Sequence, residues 1–317
     1  MSLESLYQRL PVPFQNIASS FEGWRIQRRR YGNDFQRLLM AAEARAGWSD
    51  DKIQAYRDQR LQDFIQTCAE HVPFYRDLFR TGGIDPSTIR HLDDLAALPT
   101  LDKATVQDRY GQLVSPAVPP RERLQTHTSG TTGGGLRFAT TLAAMQEQWA
   151  VWWRYRHWHG LQPGTWCGYF GGRSVVPLKQ THPPFWRFNY PGRQILFSAY
   201  HLSPANLPAY LKGLRRYRPP WLHGYPSLLT LLAGFMLEAG CELGYPIRWI
   251  TTGAENLLDH QIDQITRAFG VRPRQHYGMA EAIANISECG RGALHVDEDF
   301  AAVEFLPNPD GISHEWH

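Results

Sequence analysis

The segment THTSGTTGGGLR, residues 126–137, is the most informative stretch of this sequence. From Thr128 to Gly134 every residue is Gly, Thr or Ser, so the backbone of this segment can approach a ligand closely. Successive N–H groups in such a turn form an anion-binding nest, and hydroxyl groups add donors for phosphate oxygens. An ordinary linker is the alternative. The density of hydroxyls, with Arg137 directly downstream, favours a phosphate-binding loop.

Three better-known motifs are excluded at this position. No Gly-Lys-Ser/Thr follows at the spacing of a Walker A loop, and the Gly-x-Gly-x-x-Gly dinucleotide fingerprint is absent. Ser129 lies outside a Gly-x-Ser-x-Gly nucleophile elbow, because residue 127 is His.

The loop instead resembles the phosphate loop of the adenylate-forming enzymes, the acyl-CoA synthetases and their relatives. Their pattern is Ser-Gly-Thr-Thr-Gly followed by Lys-Pro. Ser129–Gly133 match it, while Gly134 and Gly135 replace Lys-Pro. That replacement removes a cation beside the phosphates, and Arg137 is the candidate substitute.

Two further segments make the resemblance more specific. Thr251–Glu255, TTGAE, is similar to the adenine-side strand end of that family, and Tyr277–Glu281, YGMAE, is similar to its Tyr-Gly-x-Thr-Glu motif. Ala280 replaces the family's Thr, which deletes one hydroxyl contact to the α-phosphate. The resemblance implies that Glu281 holds Mg²⁺ and is the catalytic residue, and a carboxylate suits this hard cation.

The implied ATP- or AMP-binding residues lie in all three segments. They are Thr128, Ser129, Gly130, Thr131, Thr132, Gly133, Arg137, Gly253, Ala254, Glu255, Tyr277, Gly278, Met279 and Ala280.

Further motifs resemble one branch of the family, the phenylacetate–CoA ligase-like group and its capsular-polysaccharide biosynthesis proteins of the CapK type. These motifs are HVPFYR at residues 71–76, LPTLDK at 98–103 and LHGYPS at 222–227. The family continues with a ribose-binding Asp, a hinge and a C-terminal lid domain that carries a catalytic Lys. None of these follows residue 306, so we expect a form that lacks the lid domain and is weak in complete acyl transfer.

Composition indicates a globular protein with enough apolar residues for a large core. The 317 residues are 43% hydrophobic, and a net charge of +3 is too small to imply a nucleic-acid partner. The four cysteines are scattered without a Cys-x-x-Cys pair, which favours a reducing compartment and predicts a cytoplasmic location. No apolar run is long enough to span a membrane. A small-molecule carboxylate is the expected partner, and a homodimer is left open.

Periodicity predicts an α/β protein with layered sheets and a helical N-terminal region. We expect residues 1–115 to be mainly helical and residues 116–317 to form the nucleotide-binding body. In the second part, predicted helices at 142–156, 204–217, 227–239 and 259–268 alternate with strands at 220–223 and 247–252. The segments at residues 251 and 276 should therefore lie at carboxyl ends of strands, where open α/β sheets bind ligands.

An aromatic and basic run covers residues 149–159. Trp149, Trp152 and Trp153 recur at helical spacing, which favours core packing over a nucleic-acid stacking surface. A third interpretation, intermediate between these two, is that the rings form a wall of an acyl-binding pocket. His223, Gly224 and Tyr225 follow a predicted buried strand and are the candidate substrate-binding residues.

Cys289 and His295 are the one candidate zinc pair. Cys-x5-His supplies two of the four ligands that a tetrahedral structural site needs. A buried Cys with an unrelated surface His is the favoured alternative.

These features predict ATP-dependent carboxylate adenylation, giving an acyl-adenylate and pyrophosphate, with CoA as an open acceptor. The alternative is a catalytically impaired nucleotide-binding or scaffold relative in polysaccharide biosynthesis.

Overall fold

The computed structural model describes residues 3–127 and 135–306, and the first part of this chain is helical. Its helices are α1 (Leu3–Tyr7), α2 (Val12–Arg30), α3 (Phe35–Arg45), α4 (Asp50–His71), α5 (Pro73–Gly82), α6 (Lys103–Asp108) and α7 (Tyr110–Leu113). Short 3₁₀ turns cover Pro86–Thr88, Leu92–Ala97 and Pro120–Glu122.

Strands and helices alternate in the second part. The strands are β1 (Leu124–His127), β2 (Arg137–Thr140), β3 (Cys167–Gly171), β4 (Trp186–Asn189), β5 (Gln194–Ser198), β6 (Trp221–Gly224), β7 (Trp249–Thr252), β8 (Arg274–Gly278), β9 (Asn285–Glu288) and β10 (Leu294–Val296). The helices are α8 (Leu142–Trp158), α9 (Leu207–Tyr217), α10 (Pro226–Glu238) and α11 (Asp259–Phe269).

Within the described ranges the strands form a two-stranded sheet and an eight-stranded sheet. The larger sheet has the order β10-β9-β8-β7-β6-β3-β5-β4. Its central strands, from β8 to β5, run parallel, while β4, β9 and β10 each pair antiparallel with a neighbour. The chain leaves β3 for β5 on one side and then adds β6, β7 and β8 on the other. This reversal makes the boundary between β3 and β6 a topological switch point, where open α/β sheets bind ligands.

The main hydrophobic core lies between the parallel strands and the helices that connect them. The residues that these strands direct toward the helices of the core are apolar, and Leu222 and Ile250 are accordingly almost fully buried. Leu229, Leu232 and Met236 of α10 recur at helical spacing and are completely buried. The predicted α/β fold class is confirmed.

Helix α2 covers the edge strand β4. Asn16 accepts a hydrogen bond from the backbone N–H of Phe188 at 3.0 Å, and Ser20 donates to the Phe188 carbonyl at 3.2 Å. A Cβ on Gly23 would lie 1.8 Å from the Asn189 side chain, so the helix approaches this closely only because residue 23 is glycine. The N-terminal region thereby protects an edge that would otherwise expose unpaired backbone groups.

A buried ion network joins three distant parts of the chain. The Arg154 guanidinium of α8 donates to Asp297 and Asp299, at 2.7 Å in each case, and Arg45 of α3 donates to Asp299 at 2.6 Å. All four side chains are at most 10% exposed. Helices α3 and α8 are thus linked to the segment that follows β10.

The predicted elements of the second part are present, with shifted ends. Helix α9 begins at Leu207 rather than at 204, and β7 begins at Trp249 rather than at 247. The described chain is mainly helical as far as Leu113. The division into a helical region, residues 1–115, and a nucleotide-binding body, residues 116–317, stays a prediction. None of the helices in residues 3–127 and 135–306 has the length and apolar content needed to cross a membrane.

Candidate functional site

A cavity of about 830 Å³ opens at the carboxyl ends of the parallel strands. Its mouth includes Gly171 and Gly224, the last residues of β3 and β6, with Gly253 after β7 and Gly278 at the end of β8. From there the cavity extends along one face of the sheet, beneath α8 and α2. Its position matches the switch point between β3 and β6, and its size is in the usual range for a small-molecule site.

One face of α8 forms the wall opposite the sheet. Trp149, Trp152, Trp153 and Arg156 are spaced i, i+3, i+4 and i+7, so they lie on the same side of the helix, and all four line the cavity. The Trp153 indole N–H donates to the Tyr31 hydroxyl at 3.0 Å, which fixes this wall against the N-terminal region. The aromatic run is therefore both core packing and cavity wall.

Helix α8 and strand β8 approach each other closely at Gly278. The Trp152 indole N–H donates to the Asn285 side-chain oxygen at 2.7 Å, and a Cβ on Gly278 would lie 3.0 Å from the Trp152 ring. The YGMAE segment is thus held directly against the aromatic wall.

His223 is a neutral hydrogen-bonding group in the cavity wall. The Trp221 indole N–H donates to the Thr251 hydroxyl at 2.8 Å, and His223 Nδ1 lies 2.8 Å from the same oxygen. The Thr251 hydroxyl can donate its own proton to His223 Nδ1, and in that tautomer the imidazole proton is on Nε2. Burial, reinforced by the positive charge of Arg156, lowers the pKa of His223 to about 3.

His276 is a second neutral imidazole beside the first. Its ring lies 5.0 Å from the Trp152 ring and 5.3 Å from the Tyr155 ring, and its Nδ1 is buried without a hydrogen-bond partner in the described chain. Burial lowers the pKa of His276 well below its ordinary value, and the charge of Arg156 acts in the same direction.

The structure brings two of the three predicted nucleotide segments together. Gly253 and Ala254 follow β7, while Gly278, Met279 and Ala280 end and follow the neighbouring β8, and all five line the cavity. Both turns contain an alanine in the left-handed region, Ala254 with φ 70° and Ala282 with φ 59°. Such strained residues persist only where the surrounding structure enforces them, and they concentrate at functional sites.

Three of the predicted site residues in these segments lie outside the cavity lining. The Glu255 carboxylate accepts a hydrogen bond from the backbone N–H of Ser227 at 3.0 Å and so stabilises the first turn of α10. Tyr277 is 42% exposed. Glu281 directly follows Ala280, is partly buried, and forms no ion pair with a described residue. Its carboxylate is therefore available to a cation.

The phosphate loop itself, Thr128–Gly134, lies outside the described residues, so the predicted roles of Thr128, Ser129, Gly130, Thr131, Thr132 and Gly133 stay predictions. The strands that flank the loop are described. His127 at the end of β1 pairs with Arg137 at the start of β2, and Arg137 is exposed.

The candidate substrate residues all line the cavity. His223, Gly224 and Tyr225 end strand β6 and begin the turn into α10. A Cβ on Gly224 would lie 2.3 Å from the Phe170 carbonyl oxygen, so only glycine allows β6 and β3 to end this close together. Their substrate-binding role stays a prediction.

Cys289 and His295 lie close together on the β9–β10 hairpin. Although partial burial acts to raise it, hydrogen bonds with the Arg291 backbone and the His295 side chain lower the pKa of Cys289 to about 7. No group of three or more metal-ligating side chains occurs among residues 3–127 and 135–306. Two ligands do not complete a tetrahedral zinc site, and the zinc assignment stays a prediction.

Four cavity-lining arginines were not identified by the sequence analysis. Arg30 comes from α2, Arg156 from α8, Arg173 from the segment after β3 and Arg193 from the turn between β4 and β5. Burial lowers the pKa of Arg30 to about 10, and the charges of Arg173 and Arg156 act in the same direction. The spacing of Arg156 from Trp149 and Trp153 was the one signal in the sequence that could have identified it.

Comparisons with known proteins agree with this architecture. The chain is 26% identical to the protein CapK of Staphylococcus aureus over 295 residues, which are 93% of this chain and 64% of CapK. It is 38% identical to a phenylacetate–coenzyme A ligase of Thermus thermophilus over 284 residues, or 81% of this chain and 57% of the ligase. The chain thus spans about 60% of the length of these relatives. No family model matches the sequence.

Solved structures support the fold. A 2-hydroxyisobutyryl-CoA ligase in complex with 2-HIB-AMP and CoA superposes with a TM-score of 0.52 at 19% identity. The match covers 73% of this chain and 52% of that ligase. The fold is thus that of the N-terminal body of the adenylate-forming ligases. The chain belongs to the adenylate-forming family, in the branch of CapK and the phenylacetate–coenzyme A ligases.

Proposed function

We propose that this chain is the nucleotide- and acid-binding body of an enzyme that joins a carboxylic acid to ATP. One observation carries the proposal. Gly253–Ala254 and Gly278–Ala280, from neighbouring strands, meet at the mouth of a single cavity at the switch point of the sheet. The products are an acyl-adenylate and pyrophosphate.

In this reaction a carboxylate oxygen forms a bond to the α-phosphorus as the bond to pyrophosphate breaks. Backbone N–H groups of residues 128–134 are suited to stabilise the negative charge on the phosphates. Neutral His223, with its proton on Nε2, can donate to the acid without transferring a proton, so the carboxylate stays ionised and nucleophilic. The aromatic face of α8 excludes water from the acyl group.

Magnesium fits the available donors. The Glu281 carboxylate forms no ion pair with a described residue and directly follows the cavity-lining Ala280, and Mg²⁺ is commonly held by one or two carboxylates together with substrate phosphates. When bound, the ion would neutralise phosphate charge. We propose Glu281 as its protein ligand.

We further propose CoA as the acceptor of the acyl group. The relatives named phenylacetate–coenzyme A ligase and the ligase structure that contains both an acyl-adenylate and CoA support this assignment.

A second candidate is a nucleotide-binding relative without catalytic activity in polysaccharide biosynthesis. Ala280 in place of Thr, and Gly134-Gly135 in place of Lys-Pro, favour it because each removes a phosphate contact.

One pair of measurements separates the two candidates. Calorimetry with ATP and Mg²⁺ tests binding, and exchange of labelled pyrophosphate into ATP, with a panel of carboxylic acids, tests adenylation. Binding with acid-dependent exchange supports the enzyme, and binding without exchange for any acid supports the second candidate. Absence of ATP binding would contradict both.

A further inference from the structure

Arg156 is a buried cation that forms no ion pair with any residue in the described part of the chain. Its side chain is 3% exposed, lines the cavity, and has Nε and Nη1 both buried without a hydrogen-bond partner among the described residues. A buried charge is costly unless it is paired or hydrogen-bonded, so a guanidinium left in this state indicates a missing anion.

Aromatic rings surround this guanidinium but cannot satisfy its N–H groups. Its central carbon lies 5.1 Å from the Trp153 ring and 5.6 Å from each of the Trp149 and Trp221 rings. Cation–π attraction stabilises the charge, whereas in-plane N–H donors require oxygen acceptors. The rings therefore leave the edge of the guanidinium free to bind an anion.

Among the described residues, the groups that most strongly favour the charged form of Arg156 are the Tyr31, Tyr155 and Tyr169 phenols and the Cys167 thiol, and none of these is a carboxylate. Three further arginines line the same cavity: Arg30, whose guanidinium lies 3.8 Å from the Trp149 ring, Arg173 and Arg193. Among the described lining residues the one acid is Glu22, and its carboxylate is bound by Arg25 at 2.9 Å. The cavity is strongly positive.

Arg156 packs near the amino-terminal end of β6, whereas the nucleotide segments follow the carboxyl ends of the neighbouring strands. It packs against Trp221, the first residue of β6, whereas Gly224, the last residue of that strand, lies at the mouth. Three residues of strand separate these positions by roughly 10 Å. An acid that presents one end to the nucleotide segments would thus direct its other end toward Arg156.

We propose that the acid taken by this cavity is a dicarboxylic acid, with one carboxylate at the mouth and the second bound by Arg156. The inference rests on the proposed function for the role of the first carboxylate. A planar guanidinium binds a carboxylate through two parallel hydrogen bonds, which supplies both the missing anion and a fixed orientation for the acid. The Trp rings on either side suit an extended or aromatic skeleton between the two carboxylates.

Matched pairs of acids test the proposal on the unmodified 317-residue chain. The pairs are hexanoate with adipate, octanoate with suberate, and phenylacetate with 4-carboxyphenylacetate, each titrated by calorimetry without nucleotide. A charged hydrogen bond predicts that at least one dicarboxylate binds about tenfold or more tightly than its monocarboxylate partner. If no dicarboxylate in the panel is preferred, the proposal is overturned.

Arg156→Met then assigns the preference to one side chain. Methionine retains much of the buried volume but not the charge, so the dicarboxylate should lose its preference, and the affinity for the monocarboxylate should fall much less than the affinity for the dicarboxylate. Arg216→Met is the control, because Arg216 also lies over an aromatic ring, at 5.5 Å from Tyr217, but is exposed on α9 away from the cavity. Equal loss of both members of a pair in Arg156→Met would assign Arg156 to the reacting carboxylate and overturn the proposal. A preference for the dicarboxylate that remains in Arg156→Met would also overturn the proposal.

Thermal unfolding of each variant shows whether the variant is folded. If Arg156→Met does not fold, the comparison of acids on the unmodified chain decides the proposal. Pyrophosphate exchange is measured separately. An Arg156-dependent preference for dicarboxylates without pyrophosphate exchange would support the dicarboxylate site and contradict the proposed adenylation. Pyrophosphate exchange with monocarboxylates alone would support adenylation and contradict the dicarboxylate site.

Discussion

At the scale of single residues, positive charge around the cavity determines which groups can ionise. Arg156 disfavours protonation of both His223 and His276, whose rings are already buried. Both imidazoles are neutral at physiological pH, so the positive charge in the described cavity comes from arginines. A substrate carboxylate would therefore meet fixed cations and neutral donors rather than an acid that could protonate it.

Glu281→Gln should weaken Mg²⁺-dependent nucleotide binding while leaving the fold intact. The substitution keeps the shape of the side chain but removes the charge, so we expect affinity for ATP with Mg²⁺ to fall by about tenfold, the size of one lost charged interaction. Calorimetry with and without Mg²⁺ measures the effect. Glu238→Gln, at the exposed end of α10, is the matched control. Unchanged affinity in Glu281→Gln would remove this residue from the site.

Arg137→Ala should reduce ATP affinity by about 1.5–3 kcal/mol if this arginine replaces the usual loop lysine. Arg137 begins β2, opposite His127, and is therefore anchored at one end of the loop it would assist. Titration with ATP at low and moderate salt checks this, because a lost phosphate contact should also reduce the salt dependence of binding. Arg121→Ala removes an exposed arginine before β1 and serves as the control. Equal affinities for all three proteins would leave the loop backbone and hydroxyls as the phosphate ligands.

At the scale of elements, the cavity depends on how closely the strand ends approach each other. Gly224→Ala would place a methyl group 2.3 Å from the Phe170 carbonyl oxygen, a backbone atom that cannot rotate away. We expect a loss of about 1–3 kcal/mol in the free energy of unfolding, measured with urea, together with weaker ligand binding as β6 moves. Gly111→Ala is the contrasting control, because open space surrounds that glycine and helix α7 favours alanine. Equal stability changes in the two variants would show that the approach at Gly224 is not tight.

The elements that the sequence predicted well are those with strong periodicity. Helix α11 was predicted at residues 259–268 and occupies Asp259–Phe269, because its apolar face repeats at helical spacing. The meeting of the TTGAE and YGMAE segments also followed from the sequence, since both were placed at the ends of strands. By contrast, the contribution of Arg30 depends on α2 packing across β4, a contact between residues about 170 positions apart that no local pattern encodes.

At the scale of the whole molecule, the ion network of Arg45, Arg154, Asp297 and Asp299 holds α8 in place. Arg154 and Arg156 belong to the same helix but point to different surroundings, one to two buried carboxylates and the other into the cavity. The network thus orients the helix whose opposite side forms the binding wall. Substitutions that disrupt this network should therefore displace α8 and change the shape of the cavity.

Asp299→Asn should destabilise the fold by about 3 kcal/mol, because removal of one charge leaves two buried arginines incompletely paired. Asp263→Asn is the control. Its partner Arg267 is 3.3 Å away on the same helix, and with both side chains about two-thirds exposed the loss should stay within about 0.5 kcal/mol. Chemical unfolding of the three proteins at pH 7 measures both values. Similar losses in the two variants would show that the buried network adds no more than a surface pair.

The pH dependence of the same comparison provides a sharper test of the network. Burial opposes ionisation of Asp299, but hydrogen bonds and charge from Arg154 and Arg45 outweigh it and hold the pKa of Asp299 below its ordinary value. A carboxyl group whose folded pKa lies below its unfolded value, about 3.9, contributes stability that is fully present above that value and is lost as the pH falls through the folded pKa. Burial raises the pKa of Asp297, which acts with the opposite sign, but Asp297 is present in both proteins. The stability advantage of the unmodified chain over Asp299→Asn should therefore be constant from pH 8 to about pH 5 and shrink below it. An advantage that instead grows as the pH falls would mean that Asp299 is protonated in the folded protein and that Arg154 is paired with Asp297 alone.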